Sequence, residues 1–402
     1  MSFPLVRLDS LYQIARGGSP RPIKDFITDD PNGINWIKIG DATASGKYIY
    51  ETKQKIIPEG IQRSRLVKKG DFVLSNSMSF GRPYIMGISG CIHDGWLVLS
   101  AKDKSIDQDF LYYILGSPFV FKQFDSLAAG STVRNLNIDL VSGVKIPLLP
   151  INEQKRIVAL LDQAFAEIEK TRANAEQNLK NARELFESYL QQVFSQRGDG
   201  WSTSELFDHI QFIDYRGKTP TKTDFGLRLI TAKNVRMGYL KPNPAEFVAP
   251  ESYDAWMTRG IPQKGDVLFT TEAPLANVAQ LDTDKKVVFA QRIITMQPDP
   301  LVINNTFLKY MLMSSPIQQL IHDKGTGATC TGIKASLLKK IPISYPSKIA
   351  EQEEYVLKLD KLDDSVKELE KIYQQKIDSL DELKKSILQK AFSGKLSKEI
   401  TI

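Results

Sequence analysis

Two stretches of the chain combine a helical spacing of apolar positions with the absence of any glycine or proline. Between Asn152 and Ser195, apolar or small residues recur at Ile157, Leu161, Ala164, Ile168, Ala175, Ala182, Leu185, Tyr189 and Val193. Steps of three and four place such residues along one face of a helix. Asn152, just after Pro150, is read as the N-cap. Between Glu351 and Ser393, Leu359, Val366, Tyr373, Leu380 and Ile387 lie seven apart, and Tyr355, Leu362, Leu369 and Leu383 supply a second seam position. That is the heptad of a coiled coil, with Lys376, and Thr171 and Asn178 in the first stretch, as polar interruptions that fix register. At about 1.5 Å per residue each stretch makes a rod of roughly 65 Å. A lone helix of that length leaves its stripe wet, so the two stripes are expected to bury each other; packing of each helix on its own domain is the alternative.

The remaining sequence reads differently. Short apolar runs bounded by Gly, Pro and Asp, such as Asp71–Ser75 and Trp96–Leu99, predict strands. Asp109–Leu115 and Thr306–Leu312 predict short helices. These two textures alternate because the chain repeats once. Lys69-Gly70-Asp71-Phe72-Val73-Leu74 returns as Lys264-Gly265-Asp266-Val267-Leu268-Phe269. Gly130 returns as Gly325, and Lys145-Ile146-Pro147 as Lys340-Ile341-Pro342, all at one offset of 195. Arg16-Gly17-Gly18-Ser19-Pro20 is matched by Arg216-Gly217-Lys218-Thr219-Pro220, Glu153-Gln154 by Glu351-Gln352, and Val193-Phe194-Ser195 by Ala391-Phe392-Ser393. The expected organisation is a globular domain at 1–150, a helical spacer at 151–197, a second globular domain at 198–346 and a second spacer at 347–402. The fold class is α+β (mixed α/β): two pseudo-repeated globular domains joined by two long coiled-coil helices, which run antiparallel if a pseudo-twofold axis relates the repeats.

Charge sharpens this picture slightly. Residues 1–150 carry 18 Lys/Arg against 14 Asp/Glu, and residues 198–346 carry 17 against 14, so the net charge of +6 originates in the globular parts. That favours a polyanionic partner for those parts. Cys91 and Cys330 stand far apart, which points to a reducing compartment, and no signal-peptide pattern opens the chain. No apolar run approaches the roughly 20 residues that span a bilayer. The expected location is the cytoplasm, with no membrane partner.

Taken in order, these features give the whole chain a resemblance to the specificity subunit of type I restriction–modification systems. Gly327-Ala328-Thr329, Gly332-Ile333-Lys334, Lys340-Ile341-Pro342-Ile343 and Glu351-Gln352 resemble that family's passage from a recognition domain into a helix. The first-half counterpart runs through Gly130-Ser131-Thr132, Ile146–Pro150 and Glu153-Gln154. Tyr215–Pro220, Lys264–Leu275 and Ala290-Gln291-Arg292 are also similar to the family; the first domain matches more loosely. The resemblance implies a non-catalytic DNA-binding subunit. Each domain would read one half of a bipartite site in double-stranded DNA, while the helices set the gap and dock two methyltransferase subunits, with restriction subunits completing the complex. It implies no cofactor in this chain, S-adenosylmethionine and ATP belonging to the partners. The rival reading is a coiled-coil scaffold that binds proteins and no DNA.

Candidate DNA-contacting residues follow from chemistry. Phosphates take Lys, Arg and amide groups; base edges take Arg at guanine and Asn or Gln at adenine. The first domain offers Arg16, Arg21, Lys24, Arg63, Arg65, Asn76, Arg82 and Arg134. The second offers Arg216, Lys218, Lys222, Lys233, Asn234, Arg236, Arg259, Gln291, Arg292 and Lys334. Any one of these is also an ordinary solvated surface residue; their concentration in Gly/Ser-rich turns argues for the set. Enzymatic readings are weaker. Asn243-Pro244-Ala245-Glu246 lacks the final residues of an adenine-methylating loop, and GxGxxG and P-loop spacings fail at Cys330 and Phe212. Asp41 with Glu51 and Lys53 makes an acidic/Lys set that the second repeat does not reproduce. His93, His209 and His322 are scattered, and Cys91 and His93 have no partner pair at zinc spacing, so no metal site is expected.

Overall fold

A computed structural model describes residues 4–76, 81–127, 135–195, 198–215, 219–290, 292–327 and 331–393. The chain divides into two units, Met1–Ala175 with Gln375–Ile402, and Glu176–Gln374. Each unit thus holds one globular domain, the start of one long helix and the end of the other.

In the first unit, a five-stranded sheet takes the order Tyr12–Arg16, Trp96–Ala101, Phe72–Ser75, Pro83–Met86, Tyr48–Ile49. A second five-stranded sheet takes the order Ile27–Thr28, Gln54–Ile56, Ile34–Ile37, Gly90–Ile92, Arg65–Val67. Side chains alternate across a strand. Phe72, Leu74, Leu97 and Leu99 therefore enter a core with the helices Gln108–Leu115 and Ile138–Gly143. Val73, Trp96 and Val98 enter another with Ile37, Ile49 and Val67. Strands buried on both faces read as continuous apolar runs, which is why Phe72-Val73-Leu74 shows no alternation in sequence.

The second unit repeats the plan with a four-stranded sheet, Ile210–Asp214, Ile293–Pro298, Val267–Thr270, Val278–Gln280, and a three-stranded one, Glu246–Val248, Leu227–Ile230, Val287–Phe289. Val267 and Phe269 face the helical core, and Leu268 the other. The repeated Lys-Gly-Asp turn has one physical cause in both units. Gly70 and Gly265 take φ of +93° and +91°, where a side chain is strained. The following aspartate closes the turn, Asp71 Oδ2 accepting from Lys68 N at 2.8 Å and Asp266 Oδ2 from Gln263 N at 2.7 Å.

Hydrogen bonding corrects one register of the repeat. Leu8 N donates to the Val144 carbonyl at 2.9 Å and Leu206 N to the Ile341 carbonyl at 3.0 Å. Lys145-Ile146-Pro147 is therefore the equivalent of Pro342-Ile343-Ser344, not of Lys340-Ile341-Pro342. The offset grows because the turn after Leu281, residues 282–286, is two residues longer than residues 87–89 after Met86. Gly130 lies outside the described residues.

The long helices span Ile151–Ser195 and Ile349–Phe392. Asn152 is inside the first rather than capping it; the Pro150 carbonyl accepts from Glu153 N and Gln154 N instead. The Glu-Gln pair marks the strongest tie between helix and domain. Gln154 is fully buried. Its Oε1 accepts from Asp107 N at 2.7 Å, and its Nε2 donates to the Ser105 and Leu149 carbonyls at 2.9 and 2.8 Å. Gln352, equally buried, accepts from Asn304 N at 2.9 Å and donates to the Val302 and Pro346 carbonyls at 2.8 Å each. Asp107 and Asn304 are in turn the N-caps of the helices Gln108–Leu115 and Asn305–Met313. A tyrosine on each of those helices reaches the same long helix, Tyr113 to Asp162 and Tyr310 to Asp360.

The ends of the helices are tied as well, which explains the repeated Phe-Ser pair. In the first unit Phe392 stacks edge-on against Phe110, with ring centroids 5.4 Å apart; in the second Phe194 meets Phe307 at 5.2 Å. Glu169 pairs with Lys384 at 2.8 Å and Arg172 with Asp381, an antiparallel register, and in the second unit Arg183 meets Glu370 at 2.6 Å. Each long helix therefore packs on its domain and on the other helix together. Of the expected seam, Ile157, Leu161, Ile168, Leu359 and Val366 are buried, and Tyr189, Leu362, Tyr373, Leu380 and Ile387 half-buried. Leu185, Leu369 and Leu383 are 55 %, 37 % and 47 % exposed. Phe186, four residues after Ala182 and seven before Val193, is buried in place of Leu185. In the second helix, burial passes from Val366 to Ile377 and Leu388, steps of eleven, which follow a straighter helix than a strict heptad does.

Replacing Gln352 with Leu strands three backbone groups in a dry site, each costing about 1–3 kcal/mol. The variant is expected to lose at least about 2 kcal/mol of stability, read as a lowered denaturation midpoint, whereas Lys384→Ala in an exposed ion pair should lose at most about 1 kcal/mol.

Candidate nucleic-acid interface

In the first unit the loop His93-Asp94-Gly95 organises a basic surface. Arg16 Nε donates to the Asp94 carbonyl at 3.2 Å, and Asn76 Nδ2 to the same oxygen at 2.8 Å. Ser19 Oγ donates to Asp94 Oδ1 at 3.0 Å, and Arg21 Nη2 lies 3.4 Å from Oδ2. Such close docking needs the Gly-Gly pair: a Cβ on Gly17 would meet the His93 carbonyl oxygen at 2.0 Å. Arg65 Nε reaches the Arg16 carbonyl at 3.4 Å, and Arg63 lies over the Phe26 ring at 5.7 Å. Arg16, Arg21, Arg63 and Arg65 are all exposed and belong to this one surface. Beside it opens a cavity of about 760 Å³ lined by Arg21, Lys24, Trp36, Lys38, Gln54 and His93 among others. Arg82 stands on the central sheet's hairpin, over the Tyr84 ring at 5.2 Å.

In the second unit Lys222, Lys233 and Arg292 line a smaller cavity of about 230 Å³ with Thr219, Leu229, Thr231, Glu246 and Ala290. Lys222 Nζ lies 2.7 Å and Lys233 Nζ 3.4 Å from Glu246 Oε1, while Arg292 Nε pairs with Glu272 Oε1 at 2.9 Å. The Lys222 ammonium, with Lys233 behind it, holds the Glu246 carboxyl below its ordinary value. Lys334 is exposed ahead of the short helix Ala335–Leu338. Arg259 donates from Nη1 to the Asp214 carbonyl at 2.7 Å, and Arg236, half-buried, to the Val235 carbonyl at 2.9 Å.

Sheet register shows that the two cavities occupy one position of the repeat. Trp36 faces Gln54 across one strand pair and Cys91 across the other; Leu229 faces Glu246 and Val288 in the same way. Gln54 is thus the counterpart of Glu246, Lys38 of Thr231 and His93 of Ala290, with Ser19 lining the first cavity and Thr219 the second.

Two candidates are withdrawn by this geometry. Asn76 is 2 % exposed and Asn234 fully buried. Asn234 Oδ1 accepts from Thr231 N at 3.1 Å, and its Nδ2 donates to the Lys241 and Pro244 carbonyls at 3.2 and 3.0 Å. Their amides hold loops and do not face a groove. Arg134, Arg216, Lys218 and Gln291 lie outside the described residues. Asp41, one of the two carboxylates of the acidic/Lys set, is buried and accepts from Lys38 N at 2.9 Å and Lys53 N at 3.2 Å. Among the described residues no group of His, Cys, Asp and Glu could hold a metal ion, and no helix is long and apolar enough to cross a membrane. The search for Lys, Arg, Asn and Gln in Gly/Ser-rich turns overlooked Asp94, a carboxylate, and Gln54 and Glu246, which stand on strands.

Residues 3–177 and 258–379 match the family model described as type I restriction modification DNA specificity domain. The type I restriction enzyme EcoBI specificity subunit of Escherichia coli is 22 % identical over 98 % of this chain and 86 % of its own length. The EcoKI specificity subunit of Escherichia coli strain K12 is 24 % identical over 84 % of this chain and 77 % of its own. Among solved structures, a chain from a study of complex assembly and conformational transition of the type I R-M system superposes with a TM-score of 0.80, at 19 % identity and 98 % coverage of both chains. The HsdS subunit of Thermoanaerobacter tengcongensis gives 0.59 at 19 % identity, covering 98 % of this chain and 97 % of its own.

Asn234→Ala is expected to cost about 1–3 kcal/mol of stability, because it leaves buried backbone groups unpaired. Arg21→Ala and Lys222→Ala, at exposed sites, should stay within about 0.5 kcal/mol of the parent. Denaturant titration of the three variants separates these outcomes.

Proposed function

Because the chain belongs to the type I restriction modification DNA specificity family, we propose that it is the sequence-reading, non-catalytic subunit of such a system. Each globular domain reads one half of a bipartite site in duplex DNA. The observation that carries this reading is the repeated cavity: two domains built alike, each with a basic rim at one structural position. Exposed arginines and lysines supply contacts to phosphates, and the cavities supply contacts to base edges. The paired helices set the gap between the half-sites and dock two methyltransferase subunits, with restriction subunits added for cleavage. S-adenosylmethionine and ATP belong to those partners. The Gln clamp and the Phe contacts support this reading, since they hold each domain to its long helices as a spacer role requires.

Two measurements test it. A complex of the chain with methyltransferase subunits should select a bipartite site from a library of random duplexes, and its log affinity should fall linearly with log salt. Arg21→Ala should reduce that slope by about one unit if Arg21 meets a phosphate. Failure to retain any DNA would overturn the reading and favour the protein scaffold. Removing one heptad from each long helix, residues 173–179 and 374–380, shortens both by about 10 Å. The unread gap should then shrink, at most by about three base pairs at 3.4 Å each; an unchanged gap would refute the spacing role.

A further inference from the structure

The two cavities share their sheet register and differ in lining: Gln54 is replaced by Glu246, Lys38 by Thr231 and His93 by Ala290. At the register position facing Trp36 or Leu229 the first domain carries an amide, Gln54, and the second a carboxylate, Glu246. We propose that Gln54 and Glu246 are the specificity-determining residues of the two domains, Gln54 taking the edge of adenine and Glu246 the exocyclic amino group of cytosine. This inference rests on the DNA-reading function proposed above.

The hydrogen-bond inventory of each residue supports the assignment. Lys38 Nζ donates to Gln54 at 2.8 Å. A lysine only donates, so the atom it meets is the amide oxygen Oε1. Among the described residues that leaves Gln54 both amide N–H groups and one lone pair on Oε1. One donor beside one acceptor matches N7 and the N6 amino group of adenine. Glu246 is acceptor-only. Its Oε1 is occupied by Lys222 and Lys233, and its Oε2 is buried with no hydrogen-bond partner among the described residues. An unpaired buried oxygen costs stability unless a donor arrives. Cytosine presents a lone N4 donor in the major groove; adenine would set its N7 lone pair against the carboxylate. A phosphate is disfavoured by the same negative charge. Because Oε2 is buried, reaching it takes a side-chain rearrangement at the cavity, a change of the kind common at interfaces.

The test uses the full chain in complex with methyltransferase subunits and a library of random duplexes. Sites are sequenced for the parent, Glu246→Gln and Gln54→Glu. Glu246→Gln should shift preference at one position of one half-site about tenfold, away from cytosine, and leave the other half-site alone. Gln54→Glu should do the converse, moving one position of the other half-site away from adenine. The exchange is isosteric, and should either variant fail to melt as the parent does, its counterpart in the other domain carries the test. Parent-like preferences in folded variants would overturn the proposal, as would a uniform loss of affinity across all sites. A parent complex that selects no bipartite site would instead overturn the DNA-reading function itself.

Discussion

Everything in this fold that can be called positioning passes through a buried primary amide at the start of each long helix. Gln154 and Gln352 each bridge the helix start, the loop before it and the N-cap of a domain helix. A carboxylate there could not donate to two carbonyls, and a lysine could not accept from the N-cap. Either would also bring a charge into a site with no exposure, which costs several kcal/mol unless it is paired. The inter-helix ion pairs, all on the surface, contribute at most about 1 kcal/mol each. They specify register, while the amides and aromatic ends hold the domain to the rod.

The repeat made much of this visible in advance. Helix length, the breaker-free interval and the doubled Lys-Gly-Asp, Glu-Gln and Phe-Ser pairs are properties of local sequence, and each has a local physical cause in the structure. The seam was only half visible. Leu185 and Phe186 are adjacent and both apolar, and period alone does not say which turns inward; Leu185 is exposed, while Phe186, four residues after Ala182 and seven before Val193, is buried. Leu369 and Leu383 are positions of the second seam row that the helix leaves exposed, while Tyr373, Leu380 and Ile387 of the first row stay half-buried. The Lys-Ile-Pro match was misleading because three identical residues outweigh a two-residue loop difference that appears only in hydrogen bonding.

The candidate interface shows a different limit. Exposed arginines were found because charge itself places them outside. Asn76 and Asn234 have the right chemistry for adenine and the wrong burial, since an asparagine that closes a loop and one that reads a base look alike in sequence. The carboxylates were missed because the search followed net charge. Asp94, Glu246 and Glu272 partly neutralise the very cations that would meet phosphates. Those cations are thereby held in place before any ligand arrives, and part of the apparent surplus of positive charge is already spent within the chain.

The layering separates reading from support. Val73 and Leu268 face the cavity-bearing sheets, whereas Phe72, Leu74, Val267 and Phe269 face the helical cores that carry the clamps. A change at Gln54 or Glu246 is therefore felt on one side of a central sheet, and a change at Gln154 or Gln352 on the other. Because dense packing passes strain mainly through direct contact, a residue at the cavity floor can differ between the two domains without disturbing the amide clamp that both retain. The unlike cavity residues and the alike helix junctions are what that division predicts for one scaffold that carries two readers.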